Sequence, residues 1–490
     1  MPTTVPDRTA FSQVDSLNYI WTALDLPPTA TNKVQLPGRP CGTPTSFQVP
    51  ALAQVTIALS ATAAALIHTS RNDHAELPTI TVFANEACIE FKSERFYTID
   101  GQPPSKESSS IGGLHRTSDG WVRIHDSFPH HREAAYRLIG LAPPASPEEI
   151  KQKIATLKAV ELESQAFRTG AIVGALRSYA QWDASPQAAS VSDHPLSVRK
   201  IADGPKGWPA HLGAGQKKCL AGLKVLEMTR VIAAPVAGRT LAAHGADVMW
   251  VTSPKLPDLP VLDRDTARGK RTVQLDLDQE ADMEKLRELL GDVDVFIQSY
   301  RPGSLVMKGL SPERLARVSK NGVVYASLSA WGTEGPWAGY RGFDSIVQTV
   351  SGLNVAEAEY HGQGEPSKVL PCQALDHASG YLLAFGIMAA LYKRATEGGS
   401  YLVEVSLAGT MKYLRSLGQS RGPECFGGRS WDKPSDVPIE LYDGTGATGS
   451  TRPCGFGDMA AIKHSARIDG VEVGYDRMPK KLGSDEATWL

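Results

Sequence analysis

From Leu223 to Ser329 short apolar runs alternate with amphipathic ones, and this order constrains the fold more than any other feature of the chain. LKVLEM (223–228) and DVMWVT (247–252) have the length and apolar character of buried strands. AAPVAGRTLAAHGA (233–246), between them, has helical spacing and ends at Gly245. RTVQLDL (271–277) alternates with period two, and 279–291 places Met283, Leu286, Leu289 and Leu290 at helical spacing. VDVFIQS (293–299) and GVVYASLS (322–329) are further strands. This order predicts an α/β fold, a doubly wound parallel sheet with helices on both faces. The ligand crevice of such a sheet lies at the carboxyl ends of its strands, where Arg301, Pro302, Gly303 and the loop after Ser329 would sit.

The totals remove several classes of function. Net charge is −2, from 51 basic and 53 acidic residues, so neither nucleic acid nor an anionic membrane surface is expected as a partner. Six scattered cysteines form no CxxC or Cys/His cluster, which disfavours zinc or a disulfide framework and favours free thiols in a reducing compartment. The first residues lack a basic stretch followed by an apolar run, and the C-terminal Thr-Trp-Leu is no peroxisomal tripeptide. The apolar stretch 51–67 contains Gln54, Thr56, Ser60 and Thr62, so it reads as a buried helix and not a membrane span. The expectation is a soluble intracellular protein in the cytoplasm, with mitochondrion and peroxisome left open.

Two shifts in composition divide the chain. ADGPKGWPAHLGAGQKK (202–218) reads as a Gly/Pro/Lys-rich linker, and the stretch after Gly418 is loop-like. The expected units are 1–200, a linker at 201–215, a core at 216–420 and a loop-rich segment with tail at 421–490. A faint internal repeat joins the first and third. FQVPALAQVTIALSATAAALIHTS (47–70) resembles VLPCQALDHASGYLLAFGIMAALYKRAT (369–396), and each precedes a β-branched run. In this register Ala51 matches Asp376.

Asp376 opens a long apolar helical run. Asp at that place is a preferred N-cap. The same position faces the positive end of the helix dipole, which would hold the carboxylate ionised and usable as a nucleophile toward a thioester. His377 points about 100° away around a helix, so a structural role is expected of it. Arg268, Lys270 and Arg271 form a basic run before a strand, either a solvated face or a phosphate cradle. Arg301 follows a strand, with Gly303 permitting close backbone approach. WGTEGP (331–336) and GYRGFD (339–344) match neither a Walker loop nor GxGxxG, and no Gly-x-Ser-x-Gly elbow occurs.

Taken together, LKVLEMTRVIAAPVAGRTLAAHGADVMWV (223–251), RGKRTVQLDL (268–277), DVFIQSYRPGSLVMKGLSPERL (294–315), YASLSAWGTEGPW (325–337), GYRGFDSIVQTVSG (339–352) and LDHASGYLLAFGIMAALYKRATEGGSYLVEVSL (375–407) resemble the class III CoA-transferase (CaiB/BaiF) family. The motifs occur in the family's order over about 200 residues. The resemblance implies a Rossmann-like large domain with a smaller α+β domain, often in an interlocked dimer. It implies CoA as substrate, no permanently bound cofactor, and acyl-CoA and a carboxylic acid as partners. Its catalytic aspartate falls on Asp376, which would pass through an aspartyl anhydride and an aspartyl-CoA thioester. CoA contacts are implied at Arg230, Ile232, Pro235, Ser253, Lys255, Lys270, Arg271, Arg301, Pro302, Gly303, Gly342, Phe343 and Asp344.

Some positions depart from the pattern. Racemase members carry a Gly-His-Asp loop that reads Gly342-Phe343-Asp344 here, and phenylalanine cannot shuttle a proton. The arginine usual after DVMWVT is replaced by Ser253, with Lys255 nearby, and a customary basic position is Asp278, which shifts the expected phosphate contacts to Lys270, Arg271 and Arg301. Residues 111–141 and 182–201 resemble the family's small-domain segments, and 461–489 its tail. The expectation is a degenerate first copy followed by a second without its own small domain, complementing each other as an intramolecular pseudo-dimer, with a homodimer as the other possibility. Three functions stay open: CoA-transferase, acyl-CoA racemase or epimerase, and non-catalytic CoA-binding protein.

Overall fold

The structure, a computed structural model, describes residues 3–73, 76–105, 109–422, 424–443 and 452–490. Of the loop-like stretch 442–458, residues 444–451 lie outside the described residues. Seven strands form the main sheet: β1 (Leu196–Ala202), β2 (Lys224–Met228), β3 (Asp247–Thr252), β4 (Arg271–Gln274), β5 (Val295–Gln298), β6 (Val324–Ser329) and β7 (Ser400–Ser406). Their spatial order is β4-β3-β2-β5-β6-β7-β1. All neighbours pair in parallel except β1, which closes the β7 edge antiparallel. The expected boundary at residue 200 thus cuts a strand of the main sheet.

Successive side chains on these strands leave opposite faces. Val225, Val295, Ile297, Val324, Ala326 and Val403 enter one core with the helices Ala233–Ala243 and Ala374–Glu397. Leu226, Met228, Phe296, Tyr325 and Leu402 enter another, closed by Leu286, Leu289 and Leu290 of the helix Glu280–Gly291. Burial on both faces is why these strands read as continuous apolar runs. Val295 pairs with both Val225 and Val324, so β2, β5 and β6 end at one level and their following loops share one edge.

The N-terminal segment does not build a second sheet of this kind among the described residues; its strands there are two or three residues long up to Ile99. Its helix Val49–Arg71 instead lies against Ala374–Glu397 in the first core. Ala51 and Asp376 are each the third residue of their helix. Both helices are long and apolar enough to cross a membrane, and both are buried inside the protein. Residues 111–177 form a small α+β unit with its own core, in which the antiparallel strands Gly113–Arg116, Trp121–Ile124 and Val173–Ala175 carry the helices Pro129–Ile139, Pro147–Ala155 and Ala159–Thr169. It docks on the helix Asp344–Val350, with Arg123 Nε donating to Thr349 Oγ1 at 3.0 Å. The tail fastens the N-terminal segment: Ala466–Ile468 pairs with Ile80–Val82, and Gly457–Ile462 with Thr98–Ile99.

Candidate active site

The loops after β2, β5 and β6 meet the start of the helix Ala374–Glu397 around a cleft of about 310 Å³. The β2 loop supplies Arg230 and Val231, the β5 loop Tyr300, Arg301 and Pro302, and the segment after β6 supplies Arg341, Gly342 and Phe343. Phe128, His130 and His131 come from the small unit and form the facing wall, while Asp376 is the one carboxylate among the described lining residues. Val231 holds φ 74°, a left-handed conformation that β-branched residues rarely adopt. The chain must reverse within the few residues between β2 and the helix Ala233–Ala243, and this turn is where Arg230 enters the cleft. The Arg230 guanidinium lies 4.4 Å from the Phe128 ring centroid, linking the two walls.

Asp376 is not the cap of its helix. Asp344 is, from a different helix: its carboxylate accepts the backbone N–H of Leu375 at 2.8 Å and of Asp376 at 3.0 Å, with Gln348 as a third donor. Gly342 lets this loop close, since a Cβ there would stand 2.5 Å from the Ala330 Cβ. The expectation that the helix dipole keeps Asp376 ionised is overturned. Burial pushes its pKa well up, helped by the neighbouring Asp344 and Glu94 carboxylates. The dipole is worth about half a charge, and Asp344 already occupies it. Asp344 is itself raised to about 6 by burial, against the amide bonds that favour its charge. The pair therefore keeps its negative charge on Asp344 and its proton on Asp376. His377 turns away, as helical spacing requires, and its Nε2 meets Glu94 Oε2 at 3.1 Å.

Several expected CoA contacts are elsewhere. Lys270 is buried, its Nζ 2.8 Å from Glu227 Oε1 and donating to the Pro235 carbonyl at 2.8 Å. Arg271 forks onto Asp247 at 2.9 and 2.7 Å and donates to the Thr488 carbonyl. Both stand at the amino end of β4, whereas the cleft is at the carboxyl edge. Ile232 and Pro235 are buried at the start of the helix Ala233–Ala243 and do not reach the cleft. Lys255 is bound to Asp276 and Asp278 at 2.9 and 3.0 Å. Ser253 lines only a small recess beside Arg230 and Tyr300, and Gly303 forms the turn after Pro302 at φ 85°. Arg230, Arg301, Pro302, Gly342 and Phe343 do line the cleft, with Asp344 behind them.

Sequence reasoning missed Phe128, His130, His131, Tyr300 and Arg341. The only signal was Pro129-His-His at the start of a helix in the segment likened to a small domain. Where the racemase pattern has histidine, Phe343 stacks with His125 at 3.9 Å between centroids and meets His131 edge-on at 5.8 Å. Burial lowers the pKa of His125 to about 4 and of His131 to about 3, the latter with added repulsion from His130, His125, Arg341 and Arg230. Both are thus neutral when docked, so protons favour the undocked state. The docking stability is complete above pH 6.5 and is lost as pH falls toward 4. We expect the melting temperature to drop less between pH 7 and pH 4 in the double variant His125→Phe/His131→Phe than in the parent chain; parallel drops would contradict this account.

Residues 220–418 match the model of CoA-transferase family III. An acetyl-coenzyme A transferase of Hypoxylon pulicicidum is 38% identical over 218 residues, 43% of this chain and 36% of that protein. An acyl-CoA transferase of Gibberella moniliformis is 32% identical over 313 residues, 60% of this chain and 54% of that one. A probable fatty acyl-CoA transferase of Mycobacterium tuberculosis is 32% identical over 203 residues, 39% and 50% of the two chains. The chain thus spans between about a third and about a half of these relatives. Over residues 220–418 the chain is therefore similar to CoA-transferase family III.

Proposed function

We propose that the protein moves CoA between an acyl-CoA and a carboxylic acid, with Asp376 as the acyl acceptor. The observation that carries this reading is the charge layout of the cleft: one buried carboxylate on the floor, below walls bearing Arg230, Arg301 and Arg341. A polyanion such as CoA would be held by the guanidinium groups while its thioester end reaches Asp376.

In the first step a carboxylate oxygen of Asp376 attacks the thioester carbonyl, the C–S bond breaks and CoA leaves as thiolate. The thiolate then attacks the aspartyl carbonyl of the mixed anhydride, which releases the donor acid and leaves an aspartyl-CoA thioester. The acceptor carboxylate attacks that thioester, expelling the thiolate again. The thiolate attacks the acceptor's carbonyl, giving the new acyl-CoA and free Asp376 carboxylate. Two easier acyl transfers replace a direct exchange in each direction. Asp376 must lose its proton before the first attack, so the loading rate should rise with pH.

The small unit at 111–177 precedes the core in the chain and closes the same chain's cleft, which supports completion of the site within one polypeptide. A mass measurement in solution showing only an intertwined dimer would contradict this. A second reading, an acyl-CoA epimerase, draws on His131, which faces the cleft beside Phe343. Deuterium wash-in at the α-carbon without acyl exchange would favour it.

The test of the main reading is hydroxylamine trapping. The protein is incubated with acetyl-CoA or a long-chain fatty acyl-CoA, donors suggested by the relatives' names, and then with hydroxylamine. Time-dependent inactivation with a hydroxamate on the peptide containing Asp376 is expected. If no acyl-CoA makes the protein sensitive, the transferase reading fails.

A further inference from the structure

A buried carboxylate outside the lining of the cleft, and outside residues 220–418, lies against the first turn of the helix that carries Asp376. Helix Ser93–Phe96, in the N-terminal segment, carries Glu94 to the first turn of Ala374–Glu397, where its Oε2 meets His377 Nε2 at 3.1 Å. Glu94 and Asp376 are both only 7% exposed, so little water screens charge between them. The position of Glu94 is fixed from several sides. Phe91 stacks on His377 at 5.4 Å, and Ser93 Oγ donates to Asp265 Oδ2 at 2.7 Å, where Arg239 also pairs. Helix Ser93–Phe96 is held in turn by the C-terminal strand Gly457–Ile462. We infer that Glu94 is a positioning residue for Asp376: its bond to His377 sets the first helical turn, and the charge it holds beneath that turn decides when the Asp376 carboxylate becomes available. The inference rests on the transferase reading for its catalytic consequence, but not for the effect on Asp376 itself.

Burial works against the charge of Glu94, but its bond to His377 and the nearby Arg95 bring its pKa below the usual carboxylate range, so it stays ionised. Asp344, from the helix Asp344–Val350, adds negative charge and raises the Asp376 pKa alongside Glu94. Arg95 Nε is 3.5 Å from Glu94 Oε1, but its guanidinium also pairs with Asp432 at 2.8 Å. Asp265 is taken by Arg239 and Arg268. Cys372, just before the helix, is held as a neutral thiol because burial raises its pKa to about 12. Burial first, and then the charges of Asp344 and Glu94, keep Asp376 protonated. Glu94, from a segment outside residues 220–418, thus adds to the proton affinity of Asp376.

The experiment compares the full chain with Glu94→Gln, which keeps an oxygen acceptor for His377 and removes the charge. Difference infrared titration follows the protonated-carboxyl band that Asp376→Asn abolishes, and rapid mixing with acyl-CoA follows loading against pH. In Glu94→Gln both midpoints are expected about one pH unit lower. Profiles superimposed on those of the parent chain would overturn the inference. If Glu94→Gln does not fold, His377→Phe is used; phenylalanine keeps a ring against Phe91 but offers Glu94 no donor, so the Glu94 charge loses its bond, the Asp376 midpoint should move up, and an unmoved midpoint overturns the inference. If acyl-CoA never loads the parent chain, the transferase reading falls, while the infrared comparison still decides the role of Glu94.

Discussion

Asp376→Asn should abolish the hydroxylamine-sensitive state and lower acyl transfer by on the order of 10³-fold or more. The substitution keeps size and shape in a site where Asp376 is almost fully buried. It removes the oxygen nucleophile, and the amide cannot form an anhydride. It should not harm the fold, because the N–H groups of Leu375 and Asp376 bond to Asp344 and not to the Asp376 side chain. Asn also relieves a carboxyl that sits beside two others, so the variant should be at least as stable as the parent. Binding of CoA, measured by calorimetry, should survive, since the guanidinium groups are untouched. Activity retained within tenfold would exclude Asp376 as acyl acceptor.

Lys270→Met is the second large effect, and it falls on stability. Lys270 and Glu227 form an ion pair with side chains 1% and 0% exposed, directly under the Ala233–Ala243 helix. Removing one partner of a buried pair leaves the other as an uncompensated charge, which costs about 3–5 kcal/mol. Burial already raises the Glu227 pKa despite Lys270, and without Lys270 it rises further. A raised folded-state pKa favours the native form at low pH, so the variant's deficit should shrink on acidification and grow above neutrality. Urea unfolding at two pH values measures this. Glu227→Gln added to Lys270→Met should restore much of the loss. If Lys270→Met instead left stability unchanged and weakened CoA binding, the lysine would be a phosphate ligand after all.

That contrast shows where sequence reading stops. Arg268, Lys270 and Arg271 form the densest basic run beside a strand of the core, and such a run is a reasonable phosphate site. Strand direction decides otherwise: the run precedes β4, and only the ends of strands face the crevice. The guanidinium groups that do face it are spread over the separate segments carrying Arg230, Arg301 and Arg341. No local pattern links them, because their proximity depends on β2, β5 and β6 ending at one level. The electrostatics of Asp376 were hidden for the same reason. A first-turn aspartate reads as ionised, and only folding puts Asp344 and Glu94 beside it.

The sequence by itself determined the strand–helix order of residues 223–329, because a period of two or 3.6 is local and each element must bury its apolar side. Observed strands at 224–228, 247–252, 271–274, 295–298 and 324–329 match the expected runs to within a few residues. It also singled out Asp376 as the one acid at either repeat position, against Ala51. Tertiary structure alone decided the rest of the site. It brought the small unit at 111–177 over a cleft that begins more than fifty residues later, joined β1 to β7, and set Glu94 against His377 in the first turn of the helix that carries Asp376. Those contacts join positions far apart in the chain, and charge, burial and shape act through space with no periodicity to record them.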